Sequence, residues 1–347
     1  MSRVTASGKW RMTAEWEPHE ATWLAWPHER TDWPGKFAPI RWVYAEVVRH
    51  LAPREHVRIL VQDSAHREKA RRALARASVA LDAVEFFTCR TNRGWLRDSG
   101  PIFVKDAAGA VAVTNWKFNA WAKYDDWRLD NRVPDFIARR MGLEDTKPGL
   151  VLEGGAIDTN GRGTLLATEE CLLSPVQARN PGLSREDLET ALERYLGIRR
   201  VLWLNRGIAG DDTHGHVDDI ARFVAPATVV AAVRPDKSDP DSESLRENLA
   251  RLRRMNDQDG QPLKAVTLPM PSPVHFAGQR LPASYANFYI ANHAVLVPVF
   301  NDPMDRVALN TLAKLFPGRE VLPVYARDLV LGLGTIHCMT QQQPRAG

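Results

Sequence analysis

The chain reads as an α/β protein. Short apolar runs rich in β-branched residues recur along it, and stretches with helical spacing lie between them. The strand-and-helix order returns roughly every 60 to 70 residues, and alternation of this kind favours α/β over separate all-α and all-β parts. Taken in order, Ile40 to Leu51 shows helical spacing and Val57 to Val61 reads as a strand. Ala65 to Val79 predicts a helix with Arg67, Lys69, Arg71 and Arg72 on its wet side. Ile102 to Val104 and Leu165 to Ala167 read as strands. Ser184 starts a helix over Arg185 to Tyr195, with Asp187 in capping-box position. Strands follow at Val201 to Leu204 and Val229 to Val233, then a helix over Ser242 to Met255. A strand at Ala294 to Val299, a helix over Asp305 to Phe316 and a strand at Val321 to Tyr325 complete the set. Periodicity alone does not choose between an open sheet and a closed ring.

The length, 347 residues, allows one compact unit or two modest domains, and no low-complexity linker divides it. Basic and acidic side chains nearly balance at 46 and 42, which argues against a dedicated nucleic-acid binder. The basic helix reads as a solvated surface, since Glu68 is interspersed and no aromatic platform accompanies it. Cys89, Cys171 and Cys338 lack metal spacing, and an odd count argues against a disulfide framework. A reducing, cytoplasmic setting fits. Met1 to Trp10 shows no apolar signal core, and no run is long enough to span a membrane. Tryptophans are many; Trp26, Trp33, Trp95, Trp121 and Trp127 lie in polar surroundings, where an indole can line a pocket as readily as a core.

Four segments carry chemistry. Gly332-Leu333-Gly334-Thr335-Ile336-His337-Cys338 sets a thiol after glycines able to adopt φ > 0 or pass close to a ligand, with a polar tail beyond. Trp95 to Pro101 presents Arg97 and Asp98 in a tight turn, readable also as a local surface pair. Glu153 leaves an apolar run and meets Gly154 and Gly155; a glutamate there needs a partner if buried. Gly210 to Asp219 packs two histidines and four carboxylates into ten residues, and on an extended segment residues 212, 214, 216 and 218 would face one way. Two chemistries compete for it. His214 and His216 with Asp212 or Asp218 could hold a metal, or His216 is a general acid/base and Asp218 grips a cation.

Together, Asp98, Glu153, His216, Asp218 and Cys338 suit attack on a guanidinium. Two carboxylates can each accept a pair of parallel N–H bonds from the planar cation and set its carbon before the sulfur. The histidine would protonate departing ammonia and then activate water, oriented by a carboxylate behind it.

These segments resemble the agmatine deiminase and bacterial-type peptidylarginine deiminase family of the guanidine-modifying (pentein) superfamily. The likeness runs nearly end to end: Thr13 to Glu20, Trp23 to Pro27, Trp95 to Pro101, Trp116 to Trp121, Lys123 to Asp125, Leu152 to Gly155, Thr168 to Leu173, Asp212 to Asp218 and Ile336 to Gln342. The resemblance implies a pentein-type α/β propeller, five ββαβ-like units around a pseudo-fivefold axis, spanning 1–347 as a single catalytic domain. It implies Cys338 as nucleophile, His216 as acid/base, Asp98 and Asp218 as guanidinium-binding carboxylates and Glu153 as support for the histidine. The implied course runs through a covalent thiouronium, with no metal or organic cofactor. The implied partner is a small cationic guanidino substrate, without nucleic acid or membrane, and a homo-oligomer is allowed.

The chain departs from the family pattern at several places. Ala156 and Asp158 stand where Ser and His are usual, Leu333 and Thr335 where Gly and Asn are usual, and His214 where Asn or Asp is common. Agmatine would need carboxylates or aromatic faces for its distal amine; Asp212 and Trp95 are candidates, with Trp121 and Asp125 behind them. Free or peptidyl arginine is the alternative substrate; a metal-dependent amidino hydrolase using residues 212–218 and a non-catalytic guanidine binder are the rival functions. Cys89 reads as incidental, Cys171 as packing, His275 and His293 as structural, and His19 as seating the N-terminal segment.

Overall fold

The computed structural model describes residues 9–347, so most of the Met1 to Trp10 segment considered above lies outside the described residues. Among the described residues the strands form six sheets, mixed α/β in character and none closed on itself. Five of them share one plan: an antiparallel pair, then a helix that returns the chain to a strand parallel to the pair's second member.

Ile102–Lys105 and Val111–Thr114 pair antiparallel, and helix Val133–Met141 leads to Glu144–Thr146. Asp158–Thr159 and Thr164–Thr168 are followed by helix Arg185–Leu196 and Arg200–Leu204. Ala221–Ala225 and Thr228–Val233 are followed by helix Asp241–Leu252 and Lys264–Pro269. Tyr289–Ile290 and Ala294–Val299 are followed by helix Pro303–Leu315 and Glu320–Tyr325. The fifth sheet joins the chain's two ends: Gln341–Pro344 lies antiparallel to His19–Ala25, and helix Phe37–Leu51 leads to the parallel His56–Val61. No described helix is long and apolar enough to cross a membrane.

Every strand and helix expected from periodicity is present, with ends moved by a few residues. The helix expected over Ala65 to Val79 spans Ser64–Arg76, and the one expected over Ser242 to Met255 spans Asp241–Leu252. The capping box at Ser184 is formed with Asp187, and the same helix ends on Gly197 at φ 69°. The central strands were legible because parallel strands bury both faces and read as continuous apolar runs. Val295, Leu296 and Val297 are all fully buried.

Gln341–Pro344 departs from expectation. Read as a polar tail, it is a buried strand. Its amides replace water with internal partners: Gln343 Oε1 accepts from Trp23 Nε1 at 2.9 Å and Arg58 Nη1 at 2.7 Å, and Gln342 Oε1 accepts from Arg97 Nη1 at 2.7 Å. Trp26 and Trp33 belong to the core, whereas Trp95 and Trp121 line a cavity. The basic helix turns Arg71 toward Glu68 at 2.9 Å on an open surface.

Candidate active site

The site residues come from corresponding places in successive sheets. Asp98 lies in the turn Leu96–Ser99 before Ile102–Lys105, and Glu153 precedes the turn Gly154–Ala156 before Asp158–Thr159. His216 and Asp218 lie at the turn Val217–Asp219 before Ala221–Ala225, and Cys338 lies in Ile336–Met339 before Gln341–Pro344. Each turn thus delivers a side chain to one point at the mouth of a sheet.

The five side chains meet there, all buried. His216 stands between two carboxylates, Nδ1 3.7 Å from Asp98 Oδ1 and Nε2 3.9 Å from Glu153 Oε2. Glu153 Oε1 accepts from Arg179 Nε at 2.9 Å, which is the partner a buried glutamate needs. Asp98 accepts from the Gly155 N–H at 3.0 Å and from Trp121 Nε1 at 2.9 Å. Asp218 Oδ2 meets His337 Nδ1 at 2.7 Å, while Asp218 Oδ1 has no partner. Both nitrogens of His216 and Glu153 Oε2 are likewise buried without a hydrogen bond. Buried groups left unpaired in this way mark a place for a polar ligand. A cavity of about 310 Å³ opens onto Cys338, Asp98, Trp95, Trp121 and Asp212.

The glycines are explained by close approach. A Cβ on Gly155 would lie 2.6 Å from His216 Nδ1 and 2.7 Å from Asp98 Oδ1. A Cβ on Gly332 would lie 2.7 Å from the Trp33 and Trp95 rings, and one on Gly334 would lie 3.2 Å from Cys338 Sγ. Positive φ falls on Leu333 between them, at 66°, and on neither glycine.

Burial pushes the Asp98 carboxyl up to about 6, with Asp218 and Glu153 adding to the rise against the opposing pull of His216. Burial alone would also raise Glu153, but Arg179 and His216 bring it down to about 2. Burial works against the charged imidazole of His216; Asp98, Cys171 and Glu153 overcome it and hold the ring well above the usual histidine range. Cys338 goes the other way: burial, then Asp218, Asp219 and Asp98, push its thiol well up. The site therefore holds carboxylates short of positive charge, a charged histidine and a thiol poised for a cation.

The segment 210–219 is a tight turn and not the extended segment on which residues 212, 214, 216 and 218 would face one way. Asp211 carboxylate oxygens accept from the N–H groups of Thr213, Gly215 and His216, and φ is positive at Gly210, His214 and Gly215. The alternation assumed for residues 212, 214, 216 and 218 fails. His214 Nε2 points to Ser174 Oγ at 3.3 Å, away from His216. Asp212 lines the cavity, its carboxylate held by Lys123 Nζ and, at 2.6 Å, by Tyr124 Oη. Asp125 is not a lining residue. Arg97 and Asp98 are both buried and point apart, so the surface-pair reading fails too.

Over residues 11–344 the chain matches the Porphyromonas-type peptidyl-arginine deiminase family. The chain belongs to this family. A Latilactobacillus sakei relative provisionally named agmatine deiminase is 38% identical over 96% of each chain. Among solved structures, agmatine deiminase of Enterococcus faecalis, described as catalysing its reaction, superposes with a TM-score of 0.91 at 32% identity, over 99% of this chain and all of that one. A cysteine-to-serine variant of C. jejuni agmatine deiminase with substrate bound gives 0.89 at 29% identity, over 100% and 99%. An amidinotransferase from Microseira wollei, at 13% identity and a TM-score of 0.51, shares the fold alone.

Within this family frame, several residues the sequence did not single out complete the site. Glu15 is a buried hub: it accepts from Arg222 Nη2 at 2.8 Å, Arg97 Nη2 at 3.1 Å and the Ile290 N–H at 2.8 Å, and meets His337 Nε2 at 2.9 Å. Its place in the Thr13 to Glu20 motif was the available signal. Asp158, one of the departures, pairs Arg222 Nε at 2.9 Å and so anchors this hub. Cys171, read as packing, places its sulfur with His216 and Glu153, all three donor atoms within 4.8 Å of one another. His19 seats the N-terminal segment as expected, its Nε2 on the Glu15 carbonyl at 2.7 Å. Arg179, Arg222 and Asn287 had no signal in one sequence, because an isolated arginine or asparagine reads as surface.

Proposed function

We propose that the protein is an agmatine deiminase, a hydrolase of C–N bonds in linear amidines that converts agmatine and water to N-carbamoylputrescine and ammonia. The observation that carries the reading is the meeting of Cys338, Asp98, Asp218, His216 and Glu153 beside one cavity. We infer further that residues 1–347 act as one catalytic domain whose five repeated units form a ring, an α/β propeller about a pseudo-fivefold axis; the shared plan of five sheets supports this.

The guanidinium enters between Asp98 and Asp218, and its positive charge offsets the carboxylates that hold the thiol up. Cys338 then gives its proton to solvent through the cavity it lines, and its sulfur attacks the guanidinium carbon. His216, already charged, gives its proton to the departing amino group, and the C–N bond breaks with loss of ammonia. The thiouronium left on sulfur is attacked by water whose proton His216 takes. The C–S bond breaks, the thiol is restored and the ureido product leaves. Glu153, fixed by Arg179, orients the imidazole throughout and supports it whenever it is charged. No step needs a cofactor.

The cavity's size supports a small substrate. Arg93, a lining cation that could grip an α-carboxylate, is already engaged by Asp32 and, at 3.2 Å, by Asp126, which favours agmatine over free arginine. Ammonia and ureido product measured with agmatine, free arginine and a blocked arginyl peptide test this. Agmatine turnover in the wild type should fall at least about 10⁴-fold in Cys338→Ala. Turnover of arginine or the peptide instead would move the substrate and keep the chemistry.

A further inference from the structure

Asn287 is fully buried and touches the sulfur of Cys338. Its place in the chain is informative. Four of the five repeated sheets supply Asp98, Glu153, the pair His216 and Asp218, and Cys338 from just before their first strands. The remaining sheet begins at Tyr289–Ile290, and Asn287 stands two residues before it, at the corresponding position.

The orientation of its amide follows from its partners. Asn287 Oδ1 accepts from Thr335 Oγ1 at 2.6 Å and from the His337 N–H at 3.1 Å, with the Cys338 N–H at 3.4 Å. The His337 N–H also meets the Asn287 carbonyl at 3.1 Å, but an NH₂ group turned to this side would face the His337 and Cys338 N–H groups donor to donor, which favours the oxygen here. The NH₂ group is thereby aimed the other way, at Cys338 Sγ (3.1 Å) and Asp219 Oδ1 (3.1 Å), one hydrogen for each. A protonated thiol could donate to Asn287 Oδ1 at 3.4 Å or Asp218 Oδ2 at 3.9 Å, but a thiolate accepts; the side-chain donor it meets is the Asn287 amide N–H, beside a backbone hydrogen bond from Thr335 that also favours it. The charges close to the sulfur, Asp218, Asp219 and Asp98, all oppose the thiolate.

We propose that Asn287 is a catalytic residue, its amide N–H holding the Cys338 thiolate, with Thr335 fixing the amide in the donating orientation. This rests on Cys338 being the nucleophile proposed above. It also gives Thr335, where the family usually has Asn, a defined task.

The test is alkylation of Cys338 by iodoacetamide followed from pH 7 up to the alkaline plateau of the rate, with the mass of the Cys338 peptide as readout so that Cys89 and Cys171 do not contribute. The readout needs no turnover, so it separates this proposal from the deiminase reading. Asn287→Ala introduces no charge. Losing one hydrogen bond to a charged acceptor should move the midpoint up by about one pH unit and slow neutral-pH alkylation about tenfold. Thr335→Val, which keeps the amide but frees it, should move the midpoint the same way by less. Asn287→Asp keeps the acceptor for Thr335 and His337 but turns a carboxylate oxygen toward Asp219 and the sulfur, so its upward shift should exceed that of Asn287→Ala. An unmoved midpoint in either Asn287 variant, with wild-type circular dichroism, overturns the proposal. So does a rate loss that persists unchanged above the midpoint, where the thiol is ionised in every variant, which a purely structural role would give. Should agmatine not be a substrate while the midpoints shift as stated, the deiminase reading falls and Asn287 keeps its role.

Discussion

In the sheets, the buried side chains are apolar and their backbones are paired. Val295, Leu296 and Val297 sit at 0% exposure in a strand hydrogen-bonded on both sides. A few residues away in space, around Cys338, burial is as complete but the side chains are Asp98, Glu153, His216, Asp218 and Asp219. The first region gains stability from what it removes from water, at about 25 cal/mol per Å² of apolar surface. The second loses stability unless each charge finds a partner. Here partnering is incomplete by design of the site: Glu153 has Arg179 and Asp218 has His337, while both nitrogens of His216 stay unpaired. The scaffold holds in place a set of charges that would disperse if free, and the shortage of cations among them is what a guanidinium can fill.

If this contrast is right, the largest stability effects of single charged residues lie in the site and the smallest on the surface. Arg179→Ala removes the hydrogen-bonded partner of Glu153 and leaves it buried with only the His216 ring nearby, at 3.9 Å. Breaking a buried pair in this way should destabilise the protein by about 3–5 kcal/mol in urea unfolding. Glu68→Ala removes the partner of Arg71 on the exposed helix and should leave the unfolding midpoint almost unchanged. Equal effects would mean the site is as well solvated as the surface.

A smaller effect sharpens the same contrast through pH. Asp98 titrates near 6 because burial and its acidic neighbours favour the protonated form, and a protonated Asp98 cannot grip a cation. kcat/KM for agmatine should therefore be half-maximal near pH 6 and fall about tenfold per unit below it. The stability consequence has the opposite sign. A carboxyl raised in the fold contributes stability below its ordinary range, lost as pH rises through about 6. Glu153, lowered to about 2 from 4.5, contributes stability above 4.5 that is lost as pH falls toward 2. At pH 5, then, activity is mostly lost while the Glu153 contribution is still present, and the loss should reverse on returning to pH 7. Circular dichroism at pH 5 beside the activity checks this; unfolding at pH 5 would refute it.

The two regions also differ in how far the sequence reveals them. Val57 to Val61 and Ala294 to Val299 announce themselves because burial of both strand faces forces a local apolar pattern. Ser184 announces its helix because capping is chemistry between near neighbours. Of the site, Asp98, Glu153, His216, Asp218 and Cys338 were legible from their glycine-rich motifs and the family resemblance. Arg179, Arg222 and Asn287 were not, since their partners lie 26, 207 and 51 residues away. Gln341–Pro344 was hidden for the same reason: its glutamines are satisfied by Trp23, Arg58 and Arg97, distant in sequence. The turn at 210–219 misled because alternation of polar residues looks extended, whereas Asp211 gathers the local N–H groups and folds the segment back.

The last and smallest effect concerns backbone. In the scaffold, alanine is the better truncation: at exposed Asn310, within helix Pro303–Leu315, Ala should exceed Gly in stability by about 1 kcal/mol. At Leu333 the order should invert. Its φ of 66° lies in the left-handed region, where a Cβ costs roughly 1–2 kcal/mol and glycine is free of that strain. Leu333→Gly should therefore be more stable than Leu333→Ala by about 1 kcal/mol. Both variants remove the same wall of the cavity beside Trp95, so KM for agmatine should rise equally in the two, which separates the backbone term from the contact term. Thermal unfolding of the four variants reads the stability order directly. Alanine ahead of glycine at Leu333 would mean that the segment between Gly332 and Gly334 relaxes away from its left-handed turn, and that the strain beside Cys338 is not a property of the folded protein.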